Sequence, residues 1–589
     1  MNYFSSYRYI AFKPYVIKIA LASICSIINK LCDIVPEILI GLAINIIITQ
    51  EHSLIALLTG ITNPFNQLYL VGLLTAILWI LESIFEYLYL ILWHHIAQNI
   101  QHNLRCSLYE HIQLLDTAYF ENKTVGGLAS IINNDINELE IFFATLPNAL
   151  LQLTVNVIVM GFIFTYLSPF LAFLTILPIP FIIIIAYYFK HKLTILYNGL
   201  RIQAESLSSH LVNKINGINT IKSYVTENYE LDLISQESNS YKAMYTKVNI
   251  TNAAYIPIVR MAVLCGFITS MIVGGYYALH GIIAISSYSV LVFLTQRFLW
   301  PFTEISTITD TFVSAQASLQ RVNAILSHTP TIQKSGHSLL TLQHIKGEIV
   351  FNNVSFSYAS NKPIFNNLSL TIPAHSTIAF VGTTGSGKST LIKLLLRLYE
   401  PTAGAIYIDG TDIASVSLNS LRKSIALVSQ DTYLMNGTIE DNIRYGTFHA
   451  TQDEIIQAAV LAEADSFIKQ LPQGYQTHVG ENGKNLSGGQ RQRISIARAI
   501  IKKPAIFIFD EATSALDNET ETAVQKSFER LAHQHTTIII AHRLSTIRKA
   551  DIIFVMDNGT IIESGNHLQL LAHNQTYAKL WKIQTGIQT

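Results

Sequence analysis

Charge is scarce in this sequence. Of 589 residues only 13% are Asp, Glu, Lys or Arg, where a soluble domain carries about 25%. Half of the chain is hydrophobic and the mean hydropathy is +0.34. This excludes a disordered chain, a collagen-like chain and a chain that is water-soluble throughout. The 39 Lys and Arg are matched by 39 Asp and Glu, so the basic surplus of a nucleic-acid binder is missing and no nucleic-acid partner is expected. Cysteine is scarce too. Cys25, Cys32, Cys106 and Cys265 form no CxxC pair, which argues against a disulfide framework or a zinc site and leaves them as small apolar packing residues.

The charge that is present is unevenly spread. The first 330 residues hold 16 basic and 18 acidic side chains, the last 259 hold 23 and 21. The first part reads as membrane, the second as a water-soluble domain. A helix needs about 20 apolar residues to cross a core of about 30 Å. Six stretches qualify: Pro14–Ile48, Leu68–Trp93, Leu146–Leu167, Phe170–Phe189, Ala254–Leu279 and Ile282–Trp300. Leu167-Ser168-Pro169 and His280-Gly281 are tight turns that make hairpins of the last four. Basic residues flank one side only: Arg8 and Lys13 before the first span, Arg105 and Lys123 after the second, and seven from Lys190 to Lys247 after the fourth. Those segments, and with them both termini, are expected in the cytoplasm. The two long inner segments remain amphipathic, so spans two to five are expected to continue as helices beyond the membrane.

From Gly347 the pattern changes. The apolar run Ile378–Val381 leads into Gly382, Thr383, Thr384, Gly385, Ser386, Gly387, Lys388, Ser389 and Thr390, followed by the helical run Leu391–Leu398. GxxxxGK[ST] between a strand and a helix is a phosphate-binding loop. Its glycines let backbone N–H groups face phosphate oxygens, and the helix start adds its positive end. Lys388 suits the β- and γ-phosphates, and the Ser389 hydroxyl suits Mg²⁺. A second buried strand, Ala505–Phe509, ends in Asp510 and Glu511. Asp510 suits the Mg²⁺ shell, and Glu511 can polarise the attacking water. Leu486-Ser487-Gly488-Gly489-Gln490 precedes a third helical run and offers another helix-start anion site.

These motifs together resemble an ATP-binding cassette exporter of the half-transporter type, over nearly all 589 residues. The resemblance implies a membrane α-helical domain of six spans (1–325), a linker (326–346) and an α/β P-loop nucleotide-binding domain (347–589), with ATP and Mg²⁺ as cofactors. It implies that Tyr358 stacks on adenine and that Gln430 contacts Mg²⁺ and water, alongside Ser389 and Asp510. It makes Glu511, His542 and Gln430 the catalytic set, with His542 near the γ-phosphate. Asp517 falls in the loop that crosses between subunits, and Ser487, Gly488, Gly489 and Gln490 complete the phosphate-loop site of a second copy. Asn482 departs from the family, standing where Arg is common in the loop before the signature. Two coupling helices are implied, near Leu115–Asn122 and Ser223–Asn228. One chain carries one set of motifs, so it pairs with a second half-transporter, as a homodimer or with a degenerate partner.

The function implied is ATP-driven export of hydrophobic or amphipathic compounds, drug or lipid, by alternating access. The location implied is a multi-pass protein of the cell (inner) membrane if bacterial, in contact with lipid. A membrane-bound ATPase that regulates a channel or partner without moving cargo is the alternative. Asp33, Glu37, Glu82, Glu86, Arg260 and Arg297 lie within spans, where ionisable groups are costly. The carboxylates form an acidic cavity for cationic amphiphiles, or they pair internally with Arg260 and Arg297 or sit at headgroup depth.

Overall fold

The structure is a computed structural model that describes residues 13–585, apart from 122, 124, 331, 333–340, 343–344, 359–362, 511–525, 527–529, 531–533 and 542–543. It divides into two units, one of Met1–Gln113 with Thr124–His328, the other of Leu114–Lys123 with Thr329–Thr589.

The first unit is helical. Its principal helices are α1 (Val16–Thr49), α2 (Pro64–Leu114), α4 (Ile136–Leu167), α5 (Pro169–Ile176), α6 (Pro178–Asn216), α7 (Ile218–Tyr224), α8 (Glu227–Leu279), α9 (Ile285–Leu299) and α10 (Ile305–Leu326); α3 (Thr117–Glu121) belongs to the second unit. Five helical stretches among the described residues are long and apolar enough to cross a membrane. With 51 and 53 residues, α2 and α8 extend about 75–80 Å at 1.5 Å per residue, more than twice a hydrocarbon core, so apolar spans continue as polar-flanked helix. The sixth expected span, Ile282–Trp300, is shorter and ends before Pro301. Its helix α9 has 15 residues, about 22 Å, and passes at Pro301 into the 3₁₀ turn Trp300–Glu304 before α10. Proline lacks the N–H that an α-helix interior requires.

Both hairpin turns have local causes. Ser168 is extended, caps α5 by accepting from the Leu171 N–H, and Pro169 follows at the first helical position. At the other turn Gly281 takes φ +68° after α8 ends. The second short inner helix lies earlier than its expected place at Ser223–Asn228. It is α7, stopped by Val225 in the left-handed region at φ 54°.

The second unit is α/β. Strands β1 (Ile349–Ser357), β2 (Pro363–Ile372), β4 (Ala403–Ile408) and β5 (Thr411–Asp412) form an antiparallel sheet in the order β2-β1-β4-β5. The larger sheet runs β10-β9-β3-β8-β7-β6, from β3 (Thr377–Gly382), β6 (Ile425–Val428), β7 (Ile506–Asp510), β8 (Thr536–Ile540), β9 (Ile552–Asp557) and β10 (Thr560–Gly565). All its pairings are parallel except that of β10 with β9. Alternate residues serve two cores. Ala379, Val381, Phe507 and Phe509 pack on one face, Ile378, Phe380, Ile506 and Ile508 on the other. Both faces are covered, as a parallel sheet requires.

Candidate nucleotide site

Because β3, β8, β7 and β6 are parallel neighbours, their carboxyl ends lie along one sheet edge, where α/β folds bind ligands. Three of these ends deliver residues singled out in the sequence. β3 leads into the loop Gly382–Thr390. β7 ends on half-buried Asp510, paired with Ile540 of β8. β6 leads to exposed Gln430. Beyond β8, the Ala541 N–H donates to the Phe380 carbonyl at 3.4 Å, so the chain leaves β8 beside β3. Strands about 4.8 Å apart put Asp510 about 10 Å from the start of the phosphate loop, a gap that suits a phosphate and its counter-ion. Glu511, Asp517 and His542 lie outside the described residues.

The phosphate loop needs its glycines for two different reasons. A Cβ on Gly382 would sit 2.1 Å from the Met556 carbonyl oxygen, so this position demands close backbone approach. Gly387 takes φ +105°, and a Cβ there would meet the Phe365 ring at 2.7 Å. From Lys388 the chain becomes the helix α11 (Lys388–Leu395). The Lys388 ammonium folds over the loop, donating to the Gly382 carbonyl at 2.9 Å and the Thr383 carbonyl at 3.0 Å, and lies 3.4 Å from Ser386 Oγ. Its charge is therefore held at the loop. Thr390 is buried, and its Oγ1 lies 3.1 Å from the Tyr358 hydroxyl. The Tyr358 ring packs edge-to-face on Phe356 and Tyr399.

The signature segment opens α12 (Gly488–Ile500). Ser487 and Gln490 form a capping box: Ser487 Oγ accepts from the Gln490 N–H at 3.2 Å, and Gln490 Oε1 accepts from the Ser487 N–H at 2.9 Å. Ser487 and Gly488 are exposed, Gly489 is buried. The positive end of a 13-residue helix thus faces outward. In the preceding loop Asn482 takes φ 52°, a left-handed conformation that asparagine tolerates better than most side chains, which gives its departure from Arg a backbone reason.

Comparison with known proteins fixes the family. Residues 19–302 match the ABC transporter transmembrane region, and residues 365–514 match the ABC transporter family. The chain belongs to the ABC exporter half-transporters. Relatives span most of its length. A lipid A-core flippase of Syntrophus aciditrophicus is 37% identical over 85% of this chain and 83% of its own. A Staphylococcus aureus protein provisionally named a multidrug export ATP-binding/permease protein is 34% identical over 98% and 99%. The solved structure of a bacterial Atm1-family ABC exporter with ATP bound superimposes with a TM-score of 0.84 at 26% identity, covering 98% of this chain and 99% of that one. The half-transporter is thus an integral membrane ATPase that binds ATP, dimerises and couples ATP hydrolysis to export.

Within the half-transporter's membrane helices, three of the six ionisable residues pair with one another. Arg297 of α9 pairs with both Asp33 and Glu37, which share a face of α1, and Lys30 reaches Asp33 at 2.8 Å. These four line a pocket of about 410 Å³ with Phe293, Gln296, Trp300 and Pro301. The Arg260 guanidinium lies 5.7 Å from the Trp300 ring centre. Glu82 is half-buried and Glu86 exposed. Ion pairing accounts for Asp33, Glu37 and Arg297, so a purely acidic cavity is not what α1 presents.

Proposed function

We propose that two copies of this chain form a homodimeric exporter of hydrophobic or amphipathic compounds, with ATP held at two shared sites. Residues Gly382–Thr390 wrap the phosphates, Lys388 neutralises the β- and γ-phosphates, and Tyr358 stacks on adenine. Ser487, Gly488, Gly489 and Gln490 of the opposite copy close over the γ-phosphate, beside Asp517. Glu511 takes the proton from the attacking water, and His542 and Gln430 orient the reacting groups. The hydroxyl of Ser389, the carboxylate of Asp510 and the amide oxygen of Gln430 form an all-oxygen donor set, which fits Mg²⁺. Bound there with the phosphates, Mg²⁺ would neutralise developing charge. Closure of the paired domains draws the segments at α3 and α7 together and turns the membrane helices outward; hydrolysis resets them.

The observation that carries this reading is the row of strand ends. One sheet edge presents the phosphate loop, Asp510 and Gln430, in a chain whose other unit is apolar helix. The relatives named as a lipid flippase and a multidrug exporter support the cargo class. The excess of Lys and Arg on one side of the spans supports a cell-membrane orientation with both termini and the nucleotide unit in the cytoplasm. The test is ATP-dependent accumulation of labelled lipids and cationic amphiphiles in inside-out proteoliposomes, with Lys388→Ala as control. Accumulation by the wild type alone supports the reading; ATP hydrolysis without movement of any cargo contradicts it.

A further inference from the structure

The inner loop after α2 places a carboxylate in the nucleotide unit. Glu121, at the end of α3, accepts hydrogen bonds from Lys393 Nζ at 2.9 Å and from the Tyr399 hydroxyl at 2.5 Å. Lys393 lies on α11, the helix that starts at Lys388. Its ammonium stands 5.5 Å from the centre of the Tyr358 ring and 5.6 Å from that of Tyr399. The two rings meet edge to face, 5.2 Å apart at 85°. The Tyr358 hydroxyl then reaches Thr390 of the phosphate loop. An unbroken set of contacts therefore runs from α3 to the ring assigned to adenine.

We propose that Glu121 is a positioning residue for the nucleobase: by fixing Lys393 and Tyr399 it sets the Tyr358 ring, so that affinity for adenine depends on the docked loop Leu114–Lys123. This rests on the reading of Tyr358 as the base platform. A lysine side chain is long and freely rotating, and it stays above two aromatic faces only where something anchors its head. Glu121 is that anchor. Hydrogen bonds from Lys393 and Tyr399 hold its carboxyl below the ordinary range, so the contact is ionic at neutral pH. Tyr399 is pushed up by burial and by the Glu121 charge, so its hydroxyl keeps the proton that it donates. Coupling between sites is reciprocal. Whatever factor the docked loop adds to ATP affinity, bound ATP adds to docking of the loop. The base, and not the phosphates alone, then reports occupancy to the segment that leads into the membrane helices.

The test compares equilibrium binding of ATP and of tripolyphosphate, which has no base. It uses the full chain in nanodiscs with EDTA present to stop hydrolysis. Glu121→Gln removes the anchor, and Tyr399→Phe removes one hydroxyl with little risk to folding. Each is expected to weaken ATP about three- to tenfold, the range of one hydrogen bond, and to leave tripolyphosphate unchanged. In a Tyr358→Leu background Glu121→Gln should add nothing further. Equal weakening of both ligands, unchanged ATP affinity, or a full Glu121→Gln effect without Tyr358 would each overturn the proposal. Failure of the platform itself is distinguishable: Tyr358→Leu would then bind ATP like wild type, and the proposal would fall with it.

Discussion

Replacing Ser487 separates two roles of one hydroxyl. In the single chain, Ser487 Oγ caps α12 by accepting from the Gln490 N–H. Ser→Ala at such a position costs about 0.5–2 kcal/mol, whereas Ser→Gly costs only a few tenths. In the shared site the same hydroxyl would meet the γ-phosphate bound by the other copy. A hydrogen bond to a charged group is worth about 1.5–3 kcal/mol, or about 10- to 150-fold in an equilibrium. The two substitutions therefore part company. Ser487→Ala should lower the unfolding temperature of the nucleotide unit by about 2–4 °C for each kcal/mol lost, and Ser487→Gly by less than about 1 °C. Both should weaken ATP-driven closure by one to two orders of magnitude. Thermal unfolding without nucleotide reads the cap. ATPase rate and trapping of the closed dimer against ATP concentration read the shared site. Wild-type closure by Ser487→Gly would refute the second role, and a Tm loss equal to that of Ser487→Ala would refute the first.

Three further outcomes are expected. Gly382→Ala brings a methyl group to 2.1 Å from the Met556 carbonyl oxygen, so the loop must shift; nucleotide binding, by fluorescence titration, should fall at least about 100-fold while the membrane helices stay folded. Arg297→Met leaves Asp33 and Glu37 without their shared cation, and removing one member of such a group is destabilising; the Tm in nanodiscs should drop by several degrees and recover in the triple variant with Asp33→Asn and Glu37→Gln. Burial and Arg548 hold His567 below its ordinary pKa, and its Nδ1 lies 2.8 Å from the Tyr577 hydroxyl. The unfolded chain then binds the extra proton, so this contribution is present above about pH 6.5 and is lost as pH falls below it. His567→Gln should flatten that part of the pH–stability curve.

The nucleotide unit was readable where chemistry is local. The phosphate loop needs a strand, a glycine-bearing turn and a helix start in succession, and all three stand next to one another in the chain. Asp510 was legible because it follows a short apolar strand, Gln430 only through the family resemblance; the structure puts both at strand ends of one parallel sheet. What escaped depends on distant contacts or on a single dihedral angle. The pairing of Arg297 with Asp33 and Glu37 stood as one open alternative in the sequence; it crosses more than 250 positions, and no periodicity decides it. Val225 ends α7 in a conformation that β-branched residues rarely take, so the short helix sits several residues before its expected place. Glu121 carries no motif; its place against Lys393 and Tyr399 is tertiary.

Complementation between two inactive variants tests the shared site most directly. Lys388→Ala disables the phosphate loop and Ser487→Gly disables the signature, and each homodimer should be close to inactive. A mixed dimer pairs the intact Lys388 of one copy with the intact Ser487 of the other. Co-expressed and purified through two different tags, that mixed dimer should recover ATPase activity from one restored site. If it stays at the level of the two parents, nucleotide is not held between the copies.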